Sequence, residues 1–138
     1  MIDTHTTTAE GVDIFESDHI FMRIENGILF SRFAENLDMN LEIAKICVES
    51  RLFFSSGKSY PLLVDMRGLK SMTFGARKYM ASMGATLVIA GALLIESPVT
   101  RAIGNLFIKI DRPPVPVRLF TSEEKARAWL SGFSGTKR

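Results

Sequence analysis

The chain has 138 residues and 15.4 kDa, is 46% hydrophobic and 23% charged, and carries a formal net charge of +2. That balance fits one globular domain with a single core and excludes a disordered chain. No run of about eighteen uncharged apolar residues occurs, so no membrane span is expected.

The opening Met1-Ile-Asp-Thr-His-Thr-Thr-Thr lacks the basic and apolar regions of a secretory signal. Cys47 is alone, so no internal disulfide can form, and a reduced, cytoplasmic setting is the expectation. Charge is unevenly spread. Residues 1–50 hold ten acids against three bases, a net −7, and the remainder fourteen bases against five acids, a net +9. The two halves are expected to offset each other across the fold.

In chain order, residues 1–11 read as a flexible leader and 12–16 as a short edge strand. Residues 19–25 and 28–33 are rich in aromatic and branched side chains. Asn26-Gly27 between them suits a type I′ turn, so the domain begins with an antiparallel hairpin. Asp38 is expected to cap a helix over 39–55, with Leu41, Ala44, Val48 and Leu52 at helical spacing and Ile43 and Cys47 beside them. Ser55-Ser-Gly57 stops it. Tyr60-Pro-Leu-Leu-Val-Asp65 then reads as a strand buried on both faces.

Ser71 or Thr73 caps a helix over 74–84, and the apolar run 87–95 is a second buried strand, in which Gly91 is expected to permit close packing. Ser97-Pro98 opens a helix whose expected buried face is Val99, Ile103, Leu106, Phe107 and Ile110. Asp111-Arg-Pro113-Pro114 ends it, and 115–120 is the last strand. Thr121-Ser-Glu-Glu124 predicts a capping box, with Thr121 the cap, for a helix over 123–132 that turns Ala126, Trp129 and Leu130 inward. The order is a β-hairpin followed by α-β-α-β-α-β-α. That is an α/β fold with a mixed, mostly parallel sheet packed by helices, one domain over 12–133 and a frayed tail over 134–138.

This order, an N-terminal hairpin and then strand–helix units around a strand ending in Asp65, resembles the STAS domain. Three stretches carry the resemblance: Tyr60-Pro-Leu-Leu-Val-Asp-Met-Arg-Gly-Leu-Lys-Ser, Ala90–Leu94 with Ser97-Pro98, and Leu119-Phe-Thr-Ser-Glu-Glu-Lys-Ala-Arg-Ala-Trp-Leu130. They look like a small bacterial family described as SpoIIAA-like or STAS-like, largely of unassigned function. The resemblance covers roughly residues 12–133 and implies a non-enzymatic interaction domain, sometimes switched by phosphorylation. The phosphoacceptor serine of the switchable members falls on Phe74, which cannot be phosphorylated. Ser71 and Thr73 are the nearby candidate phosphosites.

Catalytic machinery is thin, and neither a metal nor a cofactor is expected. His5 lies in the leader and His19 at a strand start, neither with a ligand companion at useful spacing, and Cys47 reads as a buried, inert thiol. Asp65 lacks the extra acids and the lysine of a receiver-domain phosphoacceptor, and is expected to accept hydrogen bonds from the turn over 66–69. Gly57-Lys58-Ser59 lacks the glycine spacing of a phosphate loop.

The candidate binding face sits at the carboxyl ends of the strands: Asp65, Arg67, Lys70, Ser71, Met72, Thr73, Arg77, Ser97 and Arg101. Met66, Met72, Met80 and Met83 crowd the same region, as adaptable contact surfaces do. The reading is an interaction module for a protein partner or for itself as a homodimer. The alternative is a binder of a small anionic or lipidic ligand, a nucleotide or a Sec14-type lipid. An enzyme would require Asp65, Arg67, Ser97 and Arg101 to converge on one cleft. Nucleic acid is not an expected partner, since the bases lack interleaved exposed aromatics and no binding motif occurs.

Overall fold

A computed structural model describes residues 4–7 and 12–134. It opens with β1 (Thr4–Thr7), β2 (Asp13–Glu16), β3 (Ile20–Glu25) and β4 (Ile28–Phe33), each antiparallel to the one before. Part of the expected leader is therefore an edge strand. The threonines of β1 are β-branched and suit extended backbone, and they pair with β2 in register Thr4↔Glu16 to Thr7↔Asp13. The rest of the expected leader and the tail beyond 134 lie outside the described residues. Asn26 (φ 55°) and Gly27 (φ 77°) both take the left-handed conformation, which closes the β3–β4 hairpin as the dipeptide requires.

Next come β5 (Leu37–Met39), α1 (Leu41–Ser55), β6 (Tyr60–Asp65), β7 (Leu69–Met72), α2 (Phe74–Ser82), β8 (Val88–Leu94) and α3 (Pro98–Leu106). A π-helical turn over Phe107–Asp111 prolongs α3, and β9 (Val117–Phe120) and α4 (Glu123–Ser134) follow. Seven strands form the main sheet in the order β1-β2-β3-β4-β6-β8-β9, parallel from β4 onward. Strands β5 and β7 form a separate parallel pair that the sequence reading did not anticipate. At three and four residues they are too short for an alternation to register.

Strand alternation sorts the main sheet's side chains onto two faces. Leu29, Phe33, Leu62 and Leu93 face α1, α2 and α3 together with Cys47, Ala76 and Ile103. Ile28, Phe30, Leu63, Ala90, Ala92 and Leu94 face α4, meeting Ala126 and Leu130. Three helices thus cover one face and one helix the other. Leu63, fully buried at the centre, contributes about 1.5–3 kcal/mol by its burial.

Local signals set most of the boundaries, with three corrections. The cap of α1 is Asn40, whose side chain accepts from the Ile43 amide at 2.8 Å; Asp38 lies in β5 instead. Helix α4 is capped one residue later than expected, Ser122 Oγ accepting from Lys125 N at 3.2 Å. Gly91 does not serve close packing, since a Cβ there would meet only Val117 Cγ2 at 3.7 Å. Close approach is found at Gly68, where a Cβ would lie 2.9 Å from the Ala34 carbonyl oxygen.

Candidate functional site

At the carboxyl end of β6, Asp65 is buried and Arg67 grips it with both arms, Nε to Oδ1 and Nη2 to Oδ2, each at 2.9 Å. The Arg67 amide also donates to Oδ1 at 3.1 Å. The hydrogen bond to Asp65 is the main reason the Arg67 guanidinium is held above its ordinary pKa. The pair closes the turn and engages both oxygens of Asp65, while Arg67, its side chain 40% exposed, keeps Nη1 without a partner among the described residues.

The other candidate residues also have local partners. Ser71 Oγ donates to Asp38 Oδ1 at 2.6 Å, so a phosphate on Ser71 would meet a carboxylate. Thr73 caps α2 by accepting from Ala76 N at 3.2 Å. Arg77 Nε donates to Asp111 Oδ2 in an ion pair whose side chains are 12% and 0% exposed, tying α2 to the π-turn. Ser97 and Thr100 form a reciprocal capping box at the start of α3. Lys70 and Arg101 are exposed. Nothing bonds Ser97 or Arg101 to Asp65 or Arg67. Of the nine candidates only Met72 lines the apolar cavity described below.

The helix after Ser97 departs most from expectation. Ile103 and Phe107 pack against the core, whereas Val99 is 49%, Leu106 42% and Ile110 61% exposed. Residues spaced seven and eleven apart return to one side of a helix, so the three form an outward apolar stripe. Phe74, first residue of α2, is 66% exposed, with the guanidinium of Arg77 5.5 Å and the ammonium of Lys78 5.8 Å from its ring centre. On α2, α3, the π-turn and its cap, Lys78, Arg101, Lys109 and Arg112 are exposed bases, and the one acid, Asp111, has its side chain buried and paired with Arg77. These elements thus present exposed apolar groups together with an excess of exposed bases.

Beneath those helices, on the sheet face, lies a cavity of about 100 Å³. Met66, Met72 and Met80 line it, so three of the four clustered methionines look inward; only Met83 is exposed. Its polar walls are Ser31, Cys47 and Arg51. Burial pushes the Cys47 thiol up to about 12, which makes it inert. Arg51, 6% exposed, donates from Nη2 to Gly84 O at 2.9 Å and to Thr86 O at 3.0 Å. Burial draws its pKa down to about 10, and it stays charged at neutral pH. The sequence reading missed Arg51 because it sits in a helix among apolar residues like any snorkelling arginine.

On the opposite sheet face, arginines interleave with aromatics, none of which is exposed. Arg32 lies 4.7 Å from the Phe21 ring centre, Arg23 and Arg127 each 5.5 Å or less from Phe30, and Arg118 5.5 Å from Phe120. The signal was the two-residue spacing in Phe21-x-Arg23, Phe30-x-Arg32 and Arg118-x-Phe120, which puts each pair on one face. Phe30 is buried and the others are partly covered, so no open stacking platform results. Among the described residues, no helix is long and apolar enough to cross a membrane, and no cluster of three metal-ligating side chains occurs.

A family model, a domain of unknown function designated DUF7793, matches residues 22–134. No curated protein matches. Among solved structures, the chain is similar to a crystal structure of an uncharacterized protein of the DUF3478 family, with a SpoIIAA-like fold, from Shewanella loihica PV-4. The TM-score is 0.56 at 12% identity, over 94% of this chain and 96% of that one. At that identity the likeness carries the fold alone, and it agrees with the STAS-like order read from the sequence. With the match spanning nearly all of β3 through α4, the chain belongs to the DUF7793 family and has a SpoIIAA-like fold.

Proposed function

We propose that this domain is a non-enzymatic interaction module that docks a protein partner on the face formed by α2, α3 and the π-turn. One observation carries the reading: beside the buried Ile103 and Phe107, α3 and its π-turn carry an adjoining apolar stripe, Val99, Leu106 and Ile110, that the monomer leaves exposed. An apolar stripe left in water beside a basic rim marks a contact surface. The stripe Val99, Leu106, Ile110 is therefore an unfilled contact, and Phe74 of α2 is a further exposed apolar group. The π-turn, a local irregularity found often at functional positions, supports the same reading. The basic rim selects the partner's chemistry, an apolar segment flanked by Asp and Glu. Two copies meeting face to face through this surface would set like charges together, which disfavours a two-fold homodimer here.

The test is a Val99→Glu/Ile110→Glu double variant, compared with wild type by light scattering after capture from cell extract. Wild type should elute in a complex containing a second protein, and the variant should elute at its own mass with an unchanged melting temperature. A complex that survives both charges would overturn the docking face. Co-sedimentation with anionic vesicles, abolished by the same variant, would replace the protein partner with a membrane surface. A mass equal to two copies would replace it with self-association.

A further inference from the structure

The cavity under α2 and α3 is a void that the chain has room to fill and leaves open. Gly91, within β8, lines it. Its backbone is outside the left-handed region, and a Cβ there would meet Val117 Cγ2 at an ordinary 3.7 Å. Neither backbone nor packing calls for glycine, which weakens a strand interior. An apolar void forfeits the dispersion contacts of its walls as well.

The second observation concerns the wall. Ser31 Oγ is satisfied by the Leu63 carbonyl at 3.1 Å. Arg51 is buried and uses only Nη2, leaving Nε and Nη1 without a hydrogen bond or an ion pair to any described residue. Arg51, without an acidic partner among the described residues, stands in the wall of an apolar chamber. Gly84, Ala85, Pro113 and Val115, all partly exposed, line the end of that chamber near the amino termini of β8 and β9, on Arg51's side.

We propose that the cavity binds a small amphiphile, an unbranched aliphatic carboxylate. Its tail lies along Leu62, Leu93, Ile103 and Phe107, and its carboxylate meets the free edge of Arg51. The fork of a guanidinium matches a carboxylate in two parallel hydrogen bonds. At roughly 30 Å³ per water-sized group, a volume of about 100 Å³ takes a tail of about three carbons. The three lining methionines can yield to a somewhat longer one. The Arg51 end of this site lies near the amino termini of β8 and β9, while Met66 and Met72, from the carboxyl-end region expected of the sequence, line its other part, beneath the docking face.

The test is calorimetric titration of the full chain with butyrate, hexanoate and octanoate, and with the alcohols of equal length. Expected is saturable one-to-one binding of a carboxylate, at least about tenfold tighter than its matched alcohol, as a charge-assisted hydrogen bond to Arg51 requires. Gly91→Val should weaken binding by about tenfold or more by occupying the tail's space, with a melting temperature no lower than wild type because Val suits a strand. Ile103→Phe gives the same readout should that variant not fold. Three results would each overturn the proposal: no saturable carboxylate binding to wild type, equal affinity for acid and alcohol, or undiminished affinity in the filled variants.

Discussion

Arg77 was read as part of a binding face, and its position in the structure gives it a different task. With its partner Asp111 sealed from solvent, it neutralises the one carboxylate of the α2–α3 region and fixes the π-turn beside α2. Arg77→Ala should therefore destabilise the domain by about 3 kcal/mol in urea unfolding, because it strands a buried charge; a loss under about 1 kcal/mol would show that the pair is dispensable. Cys47 gives a pH signature. Its folded pKa is raised to about 12 from 9.0, so the stability tied to the protonated thiol is fully present below pH 9 and is lost as pH rises toward 12. In that window the unfolded chain binds fewer protons, and Cys47 lowers stability by up to about 1.4 kcal/mol per pH unit. Cys47→Ala should remove that slope in unfolding measured at pH 9–10.5. The buried thiol and the Asp65 turn were legible because each depends on neighbours in sequence. The Arg77–Asp111 and Arg51 contacts join residues more than thirty positions apart, and no local pattern announces them.

At the scale of elements, turns and caps were read best. Asn26-Gly27, Ser97-Pro98 and Thr73 each act within four residues, and each is where the sequence placed it. Thr73→Ala should cost about 1 kcal/mol, measurable as a lowered urea midpoint, since it orphans an amide of α2. Asp38 and Asn40 are both able caps, and which one served depended on Asp38 being drawn into the β5–β7 pair. The buried side of α3 was legible only in part, for a physical reason. Val99, Ile103, Leu106, Phe107 and Ile110 form two adjacent apolar stripes, and periodicity cannot say which faces the sheet. Packing decides it: Gly104 lets α3 come close to β9, where a Cβ would lie 2.6 Å from Leu119 Cδ2, and Ile103 and Phe107 turn inward beside it. Gly68→Ala should be the costlier glycine change, about 1–3 kcal/mol, because the atoms it meets are backbone carbonyls that cannot swing away.

Across the whole molecule, the strand order and the uneven helix layers explain why one surface is open to a partner. Three helices and a π-turn crowd one sheet face over an incompletely filled core, while α4 alone seals the other against alanines 90 and 92. The mixed sheet followed from strands and helices alternating along the chain, whereas the cavity and the outward stripe exist only once the layers are packed. Site-specific photo-crosslinking is the most direct test of the docking face. A benzophenone side chain would be placed at exposed Leu106 on α3 and, as a control, at exposed Ala128 on α4. The account predicts one discrete protein adduct from position 106, lost when Val99→Glu is added, and none from 128. Adducts from 128 alone, or equally from both, would contradict it.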